Sequence, residues 1–210
     1  MRKTILTLTF LATLFIGCGN DTTQERIVFE DFESGNLNKW IIAHDGKRAS
    51  RAPRMTLEDG FDGSLHSASF FGSNIGSQNL YRMEMRSNSR FILELDQNVL
   101  STIPHGIIGV MITTNQGPRT MYWDSWINHD PASRMHRSVY DDLVILAFPN
   151  PQAREKTDPD YETPRGAPLH YRFDIEEYLQ VLEPGNHVTG VTHFIIGNSQ
   201  AIDNISLSSE

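Results

Sequence analysis

The chain has 210 residues, with 18 lysines and arginines against 26 aspartates and glutamates, and a formal net charge of −8 at neutral pH. This acidic balance disfavours nonspecific binding to nucleic acid, whose phosphates attract basic surfaces. The single cysteine excludes an internal disulfide framework and a cysteine-based zinc site. The length suits one domain that can bury a substantial core.

The N-terminus has the pattern of a secretory signal that ends at a cysteine. A basic start precedes an apolar run from Ile5 to Ile16, which is too short to span a bilayer. The segment Phe15-Ile16-Gly17-Cys18 resembles the lipobox of bacterial lipoproteins, although leucine is usual where Phe15 stands. The resemblance implies that residues 1–17 are a lipoprotein signal peptide, and that lipidated Cys18 anchors the protein in the bacterial cell envelope, in the outer membrane or the periplasmic leaflet. An ordinary secreted protein with one unused thiol is the alternative.

The remaining chain has the pattern of short strands separated by turn residues. Residues 18–25 are polar and aperiodic, which predicts a tether in front of a single domain over residues 26–210. Apolar and polar residues alternate through 80–86, 91–96 and 169–175. Many strands of this kind predict an all-β fold, a two-sheet jelly-roll β-sandwich with one short helix.

Several further elements follow from the same patterns. Residues 106–113 and 143–148 are apolar on both faces, which predicts central strands. Residues 174–182 have helical spacing and end before Pro184-Gly185, which predicts the one helix. We expect residues 188–196 and 201–207 to form a closing strand pair, and residues 46–54 and 149–168 to form long loops.

Both ends of the domain carry the pattern of a known family. Residues 29–35 read Phe-Glu-Asp-Phe-Glu-Ser-Gly and are followed by Trp40, and residues 201–207 read Ala-Ile-Asp-Asn-Ile-Ser-Leu. These segments resemble the first and last strands of jelly-roll carbohydrate-binding modules, of the galactose-binding-like or concanavalin-like β-sandwich kind. The resemblance implies that the two strands pair and that a structural calcium ion ties them. The implied calcium ligands are Asp31, Glu33 and Asp203. Ordinary solvated acids at strand ends are the alternative.

The densest aromatic cluster lies at residues 122–126. In a strand, Tyr122, Asp124 and Trp126 share one face while Trp123 faces the core. Tyr122 and Trp126 then lie about 13 Å apart. Rings at this spacing can stack on sugars about two or three units apart, while Asp124 accepts hydrogen bonds from hydroxyl groups. Packing of all three rings in the core or in a loop is the alternative.

A polar row lies on one face of the strand at residues 80–86. Tyr81, Met83 and Met85 take the opposite face, so the row consists of Arg82, Glu84 and Arg86. Arginine forks suit carboxylate or sulfate groups, so the row suits an acidic or highly hydroxylated chain. Four basic residues of the preceding region add positive charge: Lys47, Arg48, Arg51 and Arg54. A solvated face with internal ion pairs is the alternative.

The same strand also resembles one in jelly-roll polysaccharide lyases, which carry an Arg-x-Glu-x-Arg-like sequence. That resemblance implies that Arg82 or Arg86 neutralises a uronate carboxylate while a histidine or tyrosine removes the adjacent proton. The candidate bases are Tyr122, His129, His136, His170 and Tyr171. The lyases' second signature, a tyrosine-rich strand near the C-terminus, has only a poor substitute in Tyr171-Arg172-Phe173.

Three functions therefore stand as hypotheses. The leading one is a membrane-anchored lipoprotein that captures a poly- or oligosaccharide on a face of the β-sandwich, without catalytic residues. The second is a polysaccharide lyase that acts on an acidic, uronate-containing polymer. The third is a structural or adhesive lipoprotein with protein partners, which contacts them through the predicted loop at 149–168.

Overall fold

The computed structural model describes residues 25–43, 54–60, 64–71, 80–99, 106–124, 135–140, 142–151, 168–197 and 200–209. Within them the chain forms two antiparallel-rich sheets and one helix, which confirms the predicted two-sheet jelly-roll β-sandwich. The chain passes repeatedly from one sheet to the other, as a jelly roll requires. No helix in the described ranges is long and apolar enough to cross a membrane.

One sheet has six strands. Its members are β1 (Arg26–Glu30), β3 (Arg54–Asp59), β4 (His66–Phe71), β6 (Ile92–Val99), β11 (Leu169–Asp174) and β13 (Gln200–Ser208). The order is β11-β6-β13-β4-β3, and β1 pairs with the last part of β13. The predicted pairing of the first and last strands is therefore confirmed.

The other sheet has seven strands. Its members are β2 (Trp40–Ala43), β5 (Leu80–Ser87), β7 (Ile107–Thr114), β8 (Gly117–Asp124), β9 (His136–Tyr140), β10 (Leu143–Pro149) and β12 (Val188–Gly197). The order is β2-β5-β12-β7-β8-β10-β9. The two strands predicted to be central, β7 and β10, both lie inside this sheet with a neighbour on each side.

The closing strand pair was predicted wrongly. β12 pairs with β5 and β7, whereas β13 pairs with β1, β4 and β6 in the opposite sheet. The chain therefore crosses the sandwich after Gly197 instead of turning back beside itself. β12 thereby has two partner strands and β13 has three, so the backbone groups on both sides of each strand can be paired.

The core lies between the two sheets. Tyr81, Met83 and Met85 of β5 are fully buried there, and Trp123 of β8 is also fully buried, as predicted. The Trp123 ring stacks on Phe173 of β11 with ring centroids 4.2 Å apart, so aromatic contacts join the two sheets directly.

Helix α1 (Ile175–Leu182) follows β11 and confirms the single predicted helix. Asp174 is its N-cap, and the carboxylate accepts a hydrogen bond from the Glu177 backbone amide. At the other end Glu183 accepts bonds of 2.7 Å from Arg119 of β8 and from Arg137 of β9. Arg119 and Glu183 are both nearly buried, so this network ties the helix end to the seven-stranded sheet.

Candidate functional site

The outer face of the seven-stranded sheet brings several predicted residues into one line. Paired positions on neighbouring strands place their side chains on the same face. From one edge of the sheet to the other, the line contains Ile41, Arg82, Ile195, Gly109, Tyr122, Ala147 and His136. We call it the Tyr122 row. It joins the predicted aromatic cluster to the predicted arginine strand, which lie far apart in the sequence.

The Tyr122 ring lies over Gly109 on the neighbouring strand. A Cβ atom built on Gly109 would lie 2.7 Å from Cδ1 of the ring and 2.5 Å from the Met121 carbonyl oxygen. Any side chain at position 109 would therefore push the ring away. Glycine here lets the ring lie close to the sheet, with one side packed against the backbone.

The Tyr122 side chain is half-buried on this face. Burial raises the pKa of its phenol to about 12, because a phenolate would lose its solvation. The hydroxyl group thus stays protonated at any physiological pH. An aromatic ring with a neutral hydroxyl offers a stacking surface together with a hydrogen-bond donor and acceptor.

The other half of the site is the polar row on β5. The structure places Arg82, Glu84 and Arg86 on the outer face, opposite the buried Tyr81, Met83 and Met85, as the alternation predicted. The Glu84 carboxylate is bonded to the Arg86 guanidinium, and both side chains are largely exposed. This ion pair agrees with the predicted alternative, a solvated face with internal ion pairs. Arg82 is not part of the pair.

His193 of β12 joins this group and was missed by the sequence reasoning. It pairs with Glu84 in the strand register and is only partly exposed. A lone histidine directly before the apolar run Phe194-Ile195-Ile196 was a signal, but the sequence could not show which strand would lie beside it. Burial lowers the pKa of His193, and the positive charge of Arg82 lowers it further, so the ring is neutral at physiological pH.

The hydrogen bonds around His193 fix its tautomer. The Thr192 hydroxyl lies 3.1 Å from the Met111 carbonyl oxygen and 3.1 Å from His193 Nδ1. A carbonyl only accepts, so the single hydroxyl proton goes to Met111 and the hydroxyl accepts from His193. The neutral ring therefore carries its proton on Nδ1, which leaves the lone pair on Nε2 available to a ligand.

The other predicted ligand-binding residues have different positions. Asp124 lies two residues beyond Tyr122 on the same strand, so it shares the outer face and is half-buried. Trp126, Lys47, Arg48, Arg51 and His129 lie outside the described residues, as does Cys18. Arg54 begins β3 in the six-stranded sheet, where a loop residue was predicted.

The structure also separates the candidate bases. His136 begins β9 and lies at the end of the Tyr122 row. His170 is on β11 in the opposite sheet, where its Nδ1 lies 2.8 Å from Asp96 Oδ1. Tyr171 is buried in the core. Neither His170 nor Tyr171 can therefore act together with Arg82, because they lie in the other sheet.

The predicted calcium ligands lie at one corner of the six-stranded sheet. Asp31 Oδ1 accepts a bond from the Glu33 backbone amide, so Asp31 caps its own turn. Glu33 Oε1 accepts bonds from the His66 backbone amide, the Ser64 hydroxyl and the Leu65 backbone amide, and these bonds lower the pKa of Glu33. Within the described ranges, no three histidine, cysteine, aspartate or glutamate side chains converge as a metal cluster.

Asp203 differs from the other two acids. It is fully buried, and within the described part of the chain its Oδ2 atom has no hydrogen-bond partner. Burial raises the pKa of Asp203 to about 6, and the nearby carboxylates of Asp96 and Glu33 add to the increase. This corner therefore holds an incompletely satisfied buried carboxylate beside other acidic groups.

A separate cavity of about 550 Å³ lies beside the start of α1. Its charged lining groups are the carboxylates of Asp174, Glu176 and Glu177, with Phe91 and Ile92 as apolar walls. Asp174 already caps the helix, and Glu176 Oε2 accepts a bond from the Val188 backbone amide. Asp174 and Glu176 therefore already have structural partners, and the lining residues belong to α1 and to the six-stranded sheet and its connections, so the cavity adds no group to the site on the Tyr122 row.

No family model and no curated protein matches the chain. Among solved structures, the family 11 carbohydrate-binding module of the cellulosomal cellulase Lic26A-Cel5E of Clostridium thermocellum is 13% identical, with a TM-score of 0.45 over 89% of this chain and 96% of that one. Module CBM27-1 of Caldicellulosiruptor saccharolyticus, in complex with mannohexaose, is 11% identical, with a TM-score of 0.44 over 89% and 98%. The K2 cleaved adhesin domain of Lys-gingipain is 14% identical, with a TM-score of 0.45 over 87% and 99%. Similarity at this level does not establish a family or a function for this chain.

Proposed function

We propose that the protein is a carbohydrate-binding lipoprotein, which captures a poly- or oligosaccharide on the outer face of its seven-stranded sheet. The observation that carries the proposal is the Tyr122 ring held over Gly109 in one line with Arg82. A flat ring beside hydrogen-bonding groups suits a sugar, which has apolar C–H faces and polar hydroxyl edges. The lipobox-like segment that ends at Cys18 supports an anchor that holds the domain at the cell envelope.

The polar groups around the Tyr122 row have the right chemistry for hydroxyl groups. Nε2 of His193 accepts, the Tyr122 hydroxyl donates and accepts, and the Arg82 guanidinium only donates. Asp124 supplies a carboxylate on the same face. A ligand that offers both donors and acceptors along its length, as a saccharide does, can pair with all of them.

The test is a glycan-array binding assay on residues 19–210, a form that keeps every described strand and the helix. We expect binding to one class of polysaccharide, and we expect Tyr122→Ala to weaken it at least tenfold, as loss of a central aromatic contact does. Tyr122→Phe keeps the ring and should retain most of the affinity.

Two results would contradict the proposal. Equal glycan affinity of Tyr122→Ala and the unchanged protein would show that the Tyr122 row is not the binding site. A folded protein that binds no glycan would instead support the adhesive hypothesis with protein partners. Thermal unfolding of each variant shows whether a loss of binding is a loss of folding. We also expect Trp126→Ala to weaken binding without unfolding the domain.

A structural calcium ion remains part of the proposal. The buried Asp203 carboxylate, with an unpaired Oδ2 and Glu33 nearby, has the oxygen chemistry that Ca²⁺ prefers. Glu33 and Asp203 would hold the ion, and main-chain carbonyl or water oxygens would have to complete its shell. A bound cation would neutralise the carboxylates and tie the loop after β1 to β13, which is a structural role.

One observation favours a lyase as the second candidate. Neutral His193 lies beside Glu84 on the strand next to Arg82, and no described residue is hydrogen-bonded to its Nε2 atom. An arginine that neutralises a uronate carboxylate and a neutral histidine that takes the adjacent proton would supply two of the groups for a β-elimination. In that reaction the glycosidic C–O bond breaks as a C=C bond forms, and the leaving oxygen takes up a proton from water. One readout separates the two functions: a lyase shortens a uronate polymer and leaves unsaturated ends, whereas a binding module leaves it intact.

A further inference from the structure

We infer that the ligand of the Tyr122 row is an anionic saccharide, with a carboxylate or sulfate group bound by Arg82 and an uncharged sugar ring stacked on Tyr122. The inference rests on the proposed carbohydrate binding and names the class of sugar. It depends on three observations: the missing partner of Arg82, the local charge around it, and its distance from Tyr122.

Arg82 lacks the carboxylate partner that most other arginines have among the described residues. In that part of the chain, five arginines lie within 4.0 Å of a carboxylate: Arg26, Arg86, Arg90, Arg119 and Arg137. In the parts of the chain that the structure describes, no carboxylate lies within that distance of Arg82, and its buried Nε has no hydrogen-bond partner. The Arg82 side chain is partly exposed, so its guanidinium can form charge-assisted hydrogen bonds with an anionic ligand without first giving up a carboxylate partner.

The charges near Arg82 select for an anion. Glu84, the nearest acid on the strand, is already bonded to Arg86. His193 is neutral, because its pKa is lowered. Arg82, Glu84 and Arg86 together carry one excess positive charge in a chain whose formal net charge is −8. An anionic group is therefore attracted to this point of an otherwise acidic protein.

The distance between Arg82 and Tyr122 along the row determines how many sugar units separate the two contacts. β5, β12, β7 and β8 are consecutive neighbours, so Arg82 and Tyr122 are three strand spacings, or about 14 Å, apart. Ile195 and Gly109 fill the row between them and carry no charge. The geometry fits a chain that crosses the strands, with its anionic unit about two or three sugars from the stacked unit.

The experiment compares acidic polysaccharides with neutral counterparts of the same backbone. Polygalacturonate and its methyl ester form the first pair of probes, which tests for a carboxylate. Sulfated cellulose oligomers and plain cello-oligomers form the second pair, which tests for a sulfate. Titration calorimetry on residues 19–210 should show at least tenfold tighter binding for the acidic member of one pair. Arg82→Gln should remove that difference, and Arg82→Lys, which keeps the charge but loses the fork, should give an intermediate value.

Arg172→Gln is the matched control. Arg172 is exposed on β11 in the opposite sheet and has no ion pair among the described side chains, so its loss should leave affinity unchanged. Equal affinity for charged and neutral probes, or an unchanged preference in Arg82→Gln, would overturn the anionic ligand but leave carbohydrate binding in place. No binding to any of the four probes or on the glycan array would overturn both. Preference within the carboxylate or the sulfate pair identifies the anionic group.

Discussion

Replacing Glu183 by glutamine should destabilise the fold by about 3–5 kcal/mol, because it leaves Arg119 charged and buried without a counter-ion. The Arg119 and Glu183 side chains are only 6% and 8% exposed, and Arg137 bonds the same carboxylate from the solvent side. Burial alone would raise the pKa of Glu183, but hydrogen bonds from the two arginines outweigh it and the pKa is lowered. Urea denaturation of the variant at neutral pH measures the loss.

Glu84→Gln is the control for this experiment. The substitution breaks the ion pair between Glu84 and Arg86, whose side chains are 58% and 82% exposed, respectively. Exposed ion pairs of this kind contribute at most about 1 kcal/mol to the free energy of unfolding. A second variant, Arg119→Met with Glu183→Leu, removes both charges and should recover most of the loss. Similar small losses for Glu183→Gln and Glu84→Gln would show that the network does not hold α1 to the sheet.

Replacing Asp203 by asparagine should stabilise the calcium-free protein at neutral pH. The Asp203 carboxyl has a pKa of about 6 in the folded protein, against an ordinary pKa of 3.8 for an aspartate. Between those two values the folded protein holds a proton that the unfolded chain has released. The free energy of unfolding therefore decreases as the pH rises from about 4 to 6 and stays reduced above 6, by at most about 3 kcal/mol. Asp203→Asn should remove this decrease, with a gain of about 1–3 kcal/mol at pH ~7.5 and none at pH ~4.

The same variant tests the calcium site. In the unchanged protein, calcium should raise the melting temperature at neutral pH, and chelator should reverse the rise. At acidic pH the effect should disappear, because protonated Asp203 cannot serve as a ligand. Asp203→Asn should not respond to calcium, whereas Asp59→Asn, at an exposed end of β3, should respond fully. A calcium response in Asp203→Asn would place the ion elsewhere, and a pH profile unchanged by the substitution would contradict the buried carboxylate.

Local patterns predicted the elements well. The alternation in β5 identified which side chains enter the core, because each strand residue faces opposite to its neighbour. The helix at 175–182 followed from its apolar spacing and from Pro184-Gly185 beyond its end. The resemblance of the two chain ends to one family predicted that β1 and β13 pair. These features depend on short windows of sequence or on a known pattern, so a single chain was enough to find them.

Contacts between distant segments could not be predicted. Nothing local shows that the turn after Gly197 crosses the sandwich, because a hairpin and a crossing connection can have the same turn residues. Tyr122 lies next to Gly109 because of the register between β7 and β8. His193 lies next to Glu84 because β12 and β5 are neighbours in the strand order of the sheet. The pairing of strands in the sheet therefore brings the site residues together. The sequence predicted some of these residues as separate candidates, but it did not predict that they lie side by side.

The most direct test of the central claim is an NMR titration of the isotopically labelled domain with the saccharide that the array identifies. We expect the largest shifts at the backbone amides of His193 and of the part of the Tyr122 row that runs from Arg82 to Tyr122, on β5, β12, β7 and β8. The amides around His170 and Arg172, on the outer face of the six-stranded sheet, should not move. Shifts confined to that second face, or to the cavity beside α1, would contradict the assignment of the binding site to the seven-stranded sheet.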